Sequence, residues 1–278
     1  MVASWPCALA IGGLDPGGGA GIAADLRAFS AAGVFGCAAV AVITIQSTAR
    51  LVRVRPVAAR DVEDQIRHVL AHQRVEAVKV GALGTRSNVV AVARLLDKRT
   101  RVPVVVDTPM LPTRGTARLL AARAIAALRQ ELLPVATVLT VNVSEAEALL
   151  GESVRTVGEA HDAAVALERL GPRAVLVKGG HMTGAFATDV LAVDGEVVEL
   201  RAPRLAPGEA HGTGCALASL IAGRLALDQH RPIGGASIIA AARWAKRVHH
   251  AALAGAVSVG RGLPVLRLGP PRGARRPA

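Results

Sequence analysis

The chain contains no tyrosine, and its phenylalanines and tryptophans together make up 2% of it. That scarcity removes the aromatic platform on which nucleic-acid bases stack, so the net charge of +12 does not by itself mark a nucleic-acid binder. The basic residues are mostly arginines, scattered through a chain also rich in Ala, Gly and Pro, which reads as a compositional bias. A positive field of this kind steers anionic small molecules inward. Cysteine is also sparse. Cys7, Cys37 and Cys215 fit no zinc spacing, and their odd number argues against a disulfide framework. A reduced, cytoplasmic protein is expected. No basic stretch precedes an apolar one at the N-terminus, so no signal peptide is expected. The longest apolar run, about Ala31 to Ile45, is broken by Gly33 and Gly36 and is too short to cross a bilayer. Neither nucleic acid nor membrane is an expected partner.

What is abundant is aliphatic. Residues of the hydrophobic class form 51% of the 278 positions, enough for one large core of Ala, Val, Leu and Ile. Short apolar runs alternate with helical spacing. Strands are expected at Cys7 to Ile11, Cys37 to Ile45, Ala77 to Val80, Val102 to Val106, Thr137 to Val141 and Ala174 to Val177. Helices are expected at Ala20 to Ala32, Asp61 to His72, Ser87 to Leu96, Thr116 to Leu133, Ser144 to Leu150 and Glu159 to Leu170. Continuous apolar strands in this alternation predict a mostly parallel sheet covered on both faces. Asp194-Gly195 then joins Asp189 to Val193 with Glu196 to Leu200, a β-hairpin signature. A helix to about Leu227 and a long helix from Gly235 to Ala254 follow. A single domain over 1–268 is expected, with a disordered basic tail of Pro, Gly and Arg over 269–278. Ligands of such sheets sit beyond the carboxyl ends of the strands. This singles out Asp15, Gln46, Lys79, Asp107, Asn142, Lys178 and the loop 211–215.

Four constellations carry chemistry. In His211-Gly212-Thr213-Gly214-Cys215, glycines let the backbone approach a ligand, and amides at the following helix start suit a transferring phosphoryl group. Cys215 at that helix start is expected to have a lowered pKa, fitting a base; the plain alternative is a small buried residue. The glycine-rich run Gly12 to Gly21, with Asp15 inside it, lacks the Lys-Ser/Thr ending of a P-loop. Gln46, and no acidic residue, ends the second strand. A pocket for a small flat substrate is expected, with Asp15 and Asp25 on its polar edges; a solvated helix position is the alternative for Asp25. Asn142-Val143-Ser144-Glu145, with Ser144 read as the N-cap, offers oxygen ligands for Mg²⁺ or simply a helix cap. Lys178-Gly179-Gly180-His181 lets an ammonium lie across polyphosphate, or is a strand end reaching water. Asp107 is a Mg²⁺-network carboxylate or a cap. Of the histidines, His68, His72, His230, His249 and His250 read as surface residues.

In order and spacing these motifs resemble the ribokinase-like superfamily, and within it the hydroxymethylpyrimidine/phosphomethylpyrimidine kinases of thiamine biosynthesis. The resemblance spans about Ala8 to Gly262. It rests on Ala8 to Pro16 with Gly18 to Gly21, on Ala24-Asp25-Leu26, Gly36-Cys37, Gln46-Ser47-Thr48, Lys79-Val80-Gly81 and Asp107-Thr108, on Asn142 to Leu149, and on the Lys178 and His211 motifs. It implies a three-layer α/β/α fold, Mg-ATP as donor, a pyrimidine alcohol or its monophosphate as acceptor, and a homodimer. It further implies Cys215 as proton acceptor, where most of the superfamily has aspartate, with Lys178, Gly212 and Gly214 in the catalytic apparatus. Gln46, Gly13, Asp25, Ala82 and Asp15 would line the substrate pocket. Lys178, Asn142, Thr213 and His211 would face the nucleotide, and Glu145, Asn142 and Asp107 would organise Mg²⁺. The alternatives are a pyridoxal or pyridoxine kinase of the same fold and a regulator that binds the pyrimidine phosphate without turnover. The chain departs from the family pattern at Leu111 to Thr116, at Pro207 to Ala210, and in the Val143-Ser144 pair.

Overall fold

The computed structural model describes residues 5–97, 102–107, 109–110, 118–180, 182–205, 210–228 and 233–269. The 111–116 loop, Thr108, His181, 207–209, His230 and the tail from 270 onward lie outside the described residues.

Nine strands form one sheet in the order β3-β2-β1-β4-β5-β6-β7-β8-β9. They are β1 (Cys7–Leu14), β2 (Phe35–Gln46), β3 (Leu51–Pro56), β4 (Val75–Val80), β5 (Val104–Asp107), β6 (Val138–Asn142), β7 (Ala174–Lys178), β8 (Phe186–Val193) and β9 (Glu196–Pro203). From β2 across to β7 every pairing is parallel. Within that span β1, β5, β6 and β7 are buried on both faces along nearly their whole length, which is why they read as unbroken apolar runs. The helices are α1 (Gly21–Ala31), α2 (Ala59–His72), α3 (Arg86–Leu95), a single turn α4 (Ile125–Ala127), α5 (Val143–Leu150), α6 (Val157–Glu168), α7 (Thr213–Ala226) and α8 (Gly235–Ala254). One core lies between the sheet and α2, α3, α5 and α6, around Ile66, Val92, Leu149 and Leu167. A second lies between the other sheet face and α1, α7 and α8, around Phe29, Leu220 and Ile238. The layers are therefore α/β/α.

The hairpin forms as read. Asp194 (φ 50°) and Gly195 (φ 82°) both take positive φ, as a tight two-residue turn between twisted strands requires. The sheet holds a further hairpin that the pattern did not reveal. β3 pairs antiparallel with the end of β2, and its Arg53 and Arg55 stand opposite exposed Ile45 and Ile43. An exposed edge strand of this kind has no apolar run to betray it. The helix expected over Thr116 to Leu133 is also corrected. Residues 122–135 form 3₁₀, α and π turns in succession. Pro134, which has no amide to donate to the fourth residue back, explains the loosened end.

The chain leaves β1 towards β2 on one side and returns to β4 on the other. The crevice between the ends of β1 and β4 is thus the topological switch point, where open α/β sheets bind ligands.

Candidate active site

The loop after β1 is shaped by Asp15. Its Oδ1 accepts from the Gly17 amide at 2.8 Å, its Oδ2 from the Ala20 amide at 2.9 Å, and the His211 Nε2 stands 2.8 Å from Oδ2. Burial alone would raise this carboxyl. The hydrogen bond from His211, the two amides and the imidazole charge outweigh it and hold the carboxyl below its usual value. Asp15 is therefore an anchor with its oxygens engaged within the protein, a correction to its expected place on the substrate's edge. His211 is corrected likewise. Its ring faces Asp15 and Gln46, whose Nε2 lies 3.1 Å from the imidazole Nε2, and it packs against Gly19. These ring partners belong to the loop after β1 and the end of β2.

Gly13 and Ala82 face each other across the switch point: a Cβ on Gly13 would lie 3.6 Å from that of Ala82 and 3.7 Å from that of Val42. A narrow crevice continues from Gly81 and Ala82 towards Asp107, Pro109 and Leu120. Asp25 lies beneath this floor. It is fully buried, receives both oxygens' bonds from Lys79 Nζ at 3.0 and 3.1 Å, and accepts from Ser219 Oγ at 2.7 Å. The solvated alternative does not hold, and both carboxylate oxygens are engaged by partners within the protein. Burial works against the Lys79 ammonium, but Asp25 outweighs it and keeps the ammonium above its ordinary value.

Gly212 caps α7 in the left-handed region, at φ 80°, and a Cβ there would overlap the Gly19 carbonyl oxygen. Only glycine fits, and the contact seats the α7 start against the glycine-rich loop. The first-turn amides of α7 lack intrahelical partners and carry the positive end of the helix dipole. A Cβ on Gly214 would stand 3.2 Å from Lys178 Nζ and 3.8 Å from Asp107 Oδ2. The fold thus unites Gly212, Gly214, Lys178 and Asp107, whose motifs are far apart in sequence. Cys215 is half-buried in the first turn. Its surroundings act against the low pKa expected at a helix start. Burial pushes the thiol up to about 11; Lys79 pulls it down, while Asp107 and Asp25 push it further up. Desolvation outweighs Lys79 and the bond from the Gly21 backbone, so the thiol lies above its ordinary value and is protonated at neutral pH.

Lys178 Nζ bonds Asp107 Oδ1 at 2.9 Å and stands 4.0 Å from Glu145 Oε2. Asp107 also accepts from Thr140 at 3.0 Å; Lys178 and Lys79 overcome its burial and hold it below the usual carboxylate range. Asn142, and not Ser144, is the N-cap of α5. Its Oδ1 accepts the Glu145 amide and Glu145 Oε2 accepts the Asn142 amide, each at 2.8 Å. Burial, with Asp107 adding to it, lifts the Glu145 carboxyl to about 7 against the pull of Lys178. Among the described residues no three His, Cys, Asp or Glu side chains converge to hold a metal. Two carboxylates flanking a lysine do fit Mg²⁺, which is held largely by phosphate oxygens and water with one or two protein carboxylates. Asp107 and Glu145 would supply those, the ion would neutralise phosphate charge, and Asn142 is occupied as a cap.

Sequence reasoning passed over several residues here. Asp189 accepts from the Gly179 amide at 3.0 Å and pairs with Lys246 at 2.7 Å. His249, expected on the surface, is half-buried with Nε2 3.0 Å from the Thr213 carbonyl oxygen. Burial and then Lys246 lower its pKa to about 4. One signal was available: Lys246 and His249 stand one helical turn apart on a helix otherwise rich in alanine. Ser219, one turn beyond Cys215, and Lys79 gave none beyond position.

A family model described as phosphomethylpyrimidine kinase matches residues 15–266. A hydroxymethylpyrimidine/phosphomethylpyrimidine kinase of Rhizobium meliloti is 41% identical over 258 residues, covering 92% of this chain and 94% of its own length. Among solved structures, an ADP complex of Bacillus subtilis pyridoxal kinase superposes with a TM-score of 0.83 at 29% identity, covering 95% of this chain and 98% of the other. A phosphomethylpyrimidine kinase of Clostridium difficile superposes with a TM-score of 0.74 at 30% identity, covering 89% and 99%. With a ribokinase-like sheet, a glycine-capped helix start beside Lys178 and a family match along almost its whole length, the chain belongs to the phosphomethylpyrimidine kinase family and is a phosphotransferase.

Proposed function

We propose that the protein transfers the γ-phosphoryl group of Mg-ATP to 4-amino-5-hydroxymethyl-2-methylpyrimidine, to its monophosphate, or to both, in thiamine biosynthesis. The observation that carries this is the meeting of two half-sites at the α7 start. On one side Gly13 and Ala82 face each other at the switch point, and Gln46 stands beside His211, which packs on the loop after β1. On the other, Lys178, Asp107 and Glu145 gather beside Gly214 in the first turn of α7, where phosphates would meet the Gly212–Cys215 amides. Phosphoryl transfer of this kind needs positioning and charge stabilisation more than covalent chemistry. Lys178 and the α7 amides hold the transferring group, and Gln46 orients the pyrimidine edge. Cys215 stands beside the acceptor hydroxyl and takes its proton. Because the thiol is protonated at neutral pH, only its thiolate fraction serves, and that fraction grows with pH.

Incubation of the protein with Mg-ATP and, in separate reactions, hydroxymethylpyrimidine or its monophosphate, followed by mass analysis for mono- and diphosphate, tests the reading. Both products, or either one, support it; their absence overturns it. A parallel assay with pyridoxal addresses a second reading, favoured by the higher structural similarity to a pyridoxal kinase than to a phosphomethylpyrimidine kinase. A non-catalytic regulator would bind the pyrimidine phosphate without consuming ATP. Among the described residues no helix is long and apolar enough to cross a membrane. The expected homodimer is tested by sedimentation.

A further inference from the structure

We propose that Lys246 and His249 of α8 are positioning residues for the phosphoryl-transfer site, fixing from behind the two backbone segments that hold the transferring group. This rests on the kinase reading above and deepens it. Neither side chain needs to touch the phosphates; each acts through another group. The Lys246 ammonium holds Asp189 at 2.7 Å, and the other oxygen of Asp189 accepts the Gly179 amide at 3.0 Å. The peptide unit is planar, so holding the Gly179 N–H fixes the plane that immediately follows Lys178. Gly179 is pressed so closely on Thr188 that a Cβ would overlap the Thr188 carbonyl, which leaves that turn no slack.

His249 does the same across the site. A carbonyl can only accept, so the His249 Nε2 carries the proton and donates to the Thr213 oxygen at 3.0 Å. Holding that oxygen fixes the Thr213–Gly214 plane, and with it the direction of the Gly214 N–H in the anion cradle. Gly214 is in turn the residue whose Cβ would stand 3.2 Å from Lys178 Nζ. The contacts therefore close a ring from α8 through Asp189, Gly179, Lys178, Gly214 and Thr213 back to α8. The pyrimidine-side residues Gln46, Gly13 and Ala82 are outside it.

His249→Gln and His249→Met test this in the full-length protein. The two replacements are nearly isosteric, and only glutamine keeps a donor. Lys246→Met is the second arm. With donor-less side chains, kcat is expected to fall on the order of tenfold to a hundredfold, as for a slight misplacement of reacting groups. KM for Mg-ATP rises, and KM for the pyrimidine stays within about twofold, since uniform loss of structure would move both. His249→Gln is expected to stay close to the parent. Equal kinetics for His249→Gln and His249→Met, or a Lys246→Met protein with parental kcat and KM, would overturn the proposal. Calorimetric ADP affinity is measured alongside and needs no acceptor. If the parent phosphorylates no pyrimidine, the kinase reading has failed, and weaker ADP binding in His249→Met than in His249→Gln still decides for the brace.

Discussion

Lys79 Nζ sits 3.0 Å from Asp25 Oδ1, with side-chain exposures of 1% and 0%. The pair joins β4 to α1, and Ser219 extends it to α7 one turn past Cys215. Taking one partner away strands a charge in the core. Lys79→Met or Asp25→Ala should each destabilise by about 3–5 kcal/mol. The double change Lys79→Met with Asp25→Leu should cost much less than either alone. Urea denaturation of the three variants checks this; additive losses would refute it.

Cys215 connects to the same network. Cys215→Ala is expected to lower kcat by about two to four orders of magnitude if the sulfur accepts the hydroxyl proton. Parental turnover should climb as pH rises towards the thiol pKa of about 11. Stability runs the other way. The thiol is raised from 9.0, so the unfolded chain loses its proton first, and stability falls between pH 9 and 11. A flat rate profile would leave Cys215 as a positioning group.

Glu145 completes the α5 cap and, in the proposed reading, helps hold Mg²⁺, and substitution can separate the two. Glu145→Gln keeps an acceptor for the Asn142 amide and should preserve the α5 cap. Glu145→Ala should lose about 1 kcal/mol. Both remove the carboxylate and should raise the Mg²⁺ concentration needed for half-maximal turnover. Thermal melts and a Mg²⁺ titration read the two effects apart. An unchanged Mg²⁺ requirement in both would confine Glu145 to capping.

Glycines at similar φ should not respond alike. Gly212→Ala forces a Cβ onto the Gly19 carbonyl and should abolish activity. Gly33→Ala, at the same φ of 80° but facing open space, should cost only about 1 kcal/mol with kinetics retained. Comparable loss in both would mean that φ strain alone, and not the loop contact, governs Gly212.

The central strands and the strand-end list were readable because a doubly covered parallel sheet writes itself as apolar runs, each ending where a ligand would lie. Lys178, Asp107 and the 211–215 loop followed from that rule. β3 escaped it because an exposed edge strand carries arginines in place of an apolar run. The family resemblance supplied the remaining site roles, and the structure revised several. Asp25 and Asp15 were misjudged because a polar residue near a glycine loop looks the same whether it meets a ligand or a buried partner. The thiol of Cys215 was misjudged because helix-dipole reasoning is local, whereas desolvation depends on every element packed around it. His249 and Lys246 act on carbonyls and amides of other segments, and a one-dimensional pattern holds no trace of such partners.

The seat of Gly212 on Gly19 also orders events in time. β1, β2 and β4 all lie within the first eighty or so residues, although one face of them stays uncovered until α7 and α8 are made. The glycine-rich loop is different: its partners, His211, Gly212 and Val265, are made nearly last. The pocket therefore closes only when the C-terminal quarter of the chain arrives. A nascent chain stalled before residue 210 would carry much of the sheet yet have no finished site for its substrate.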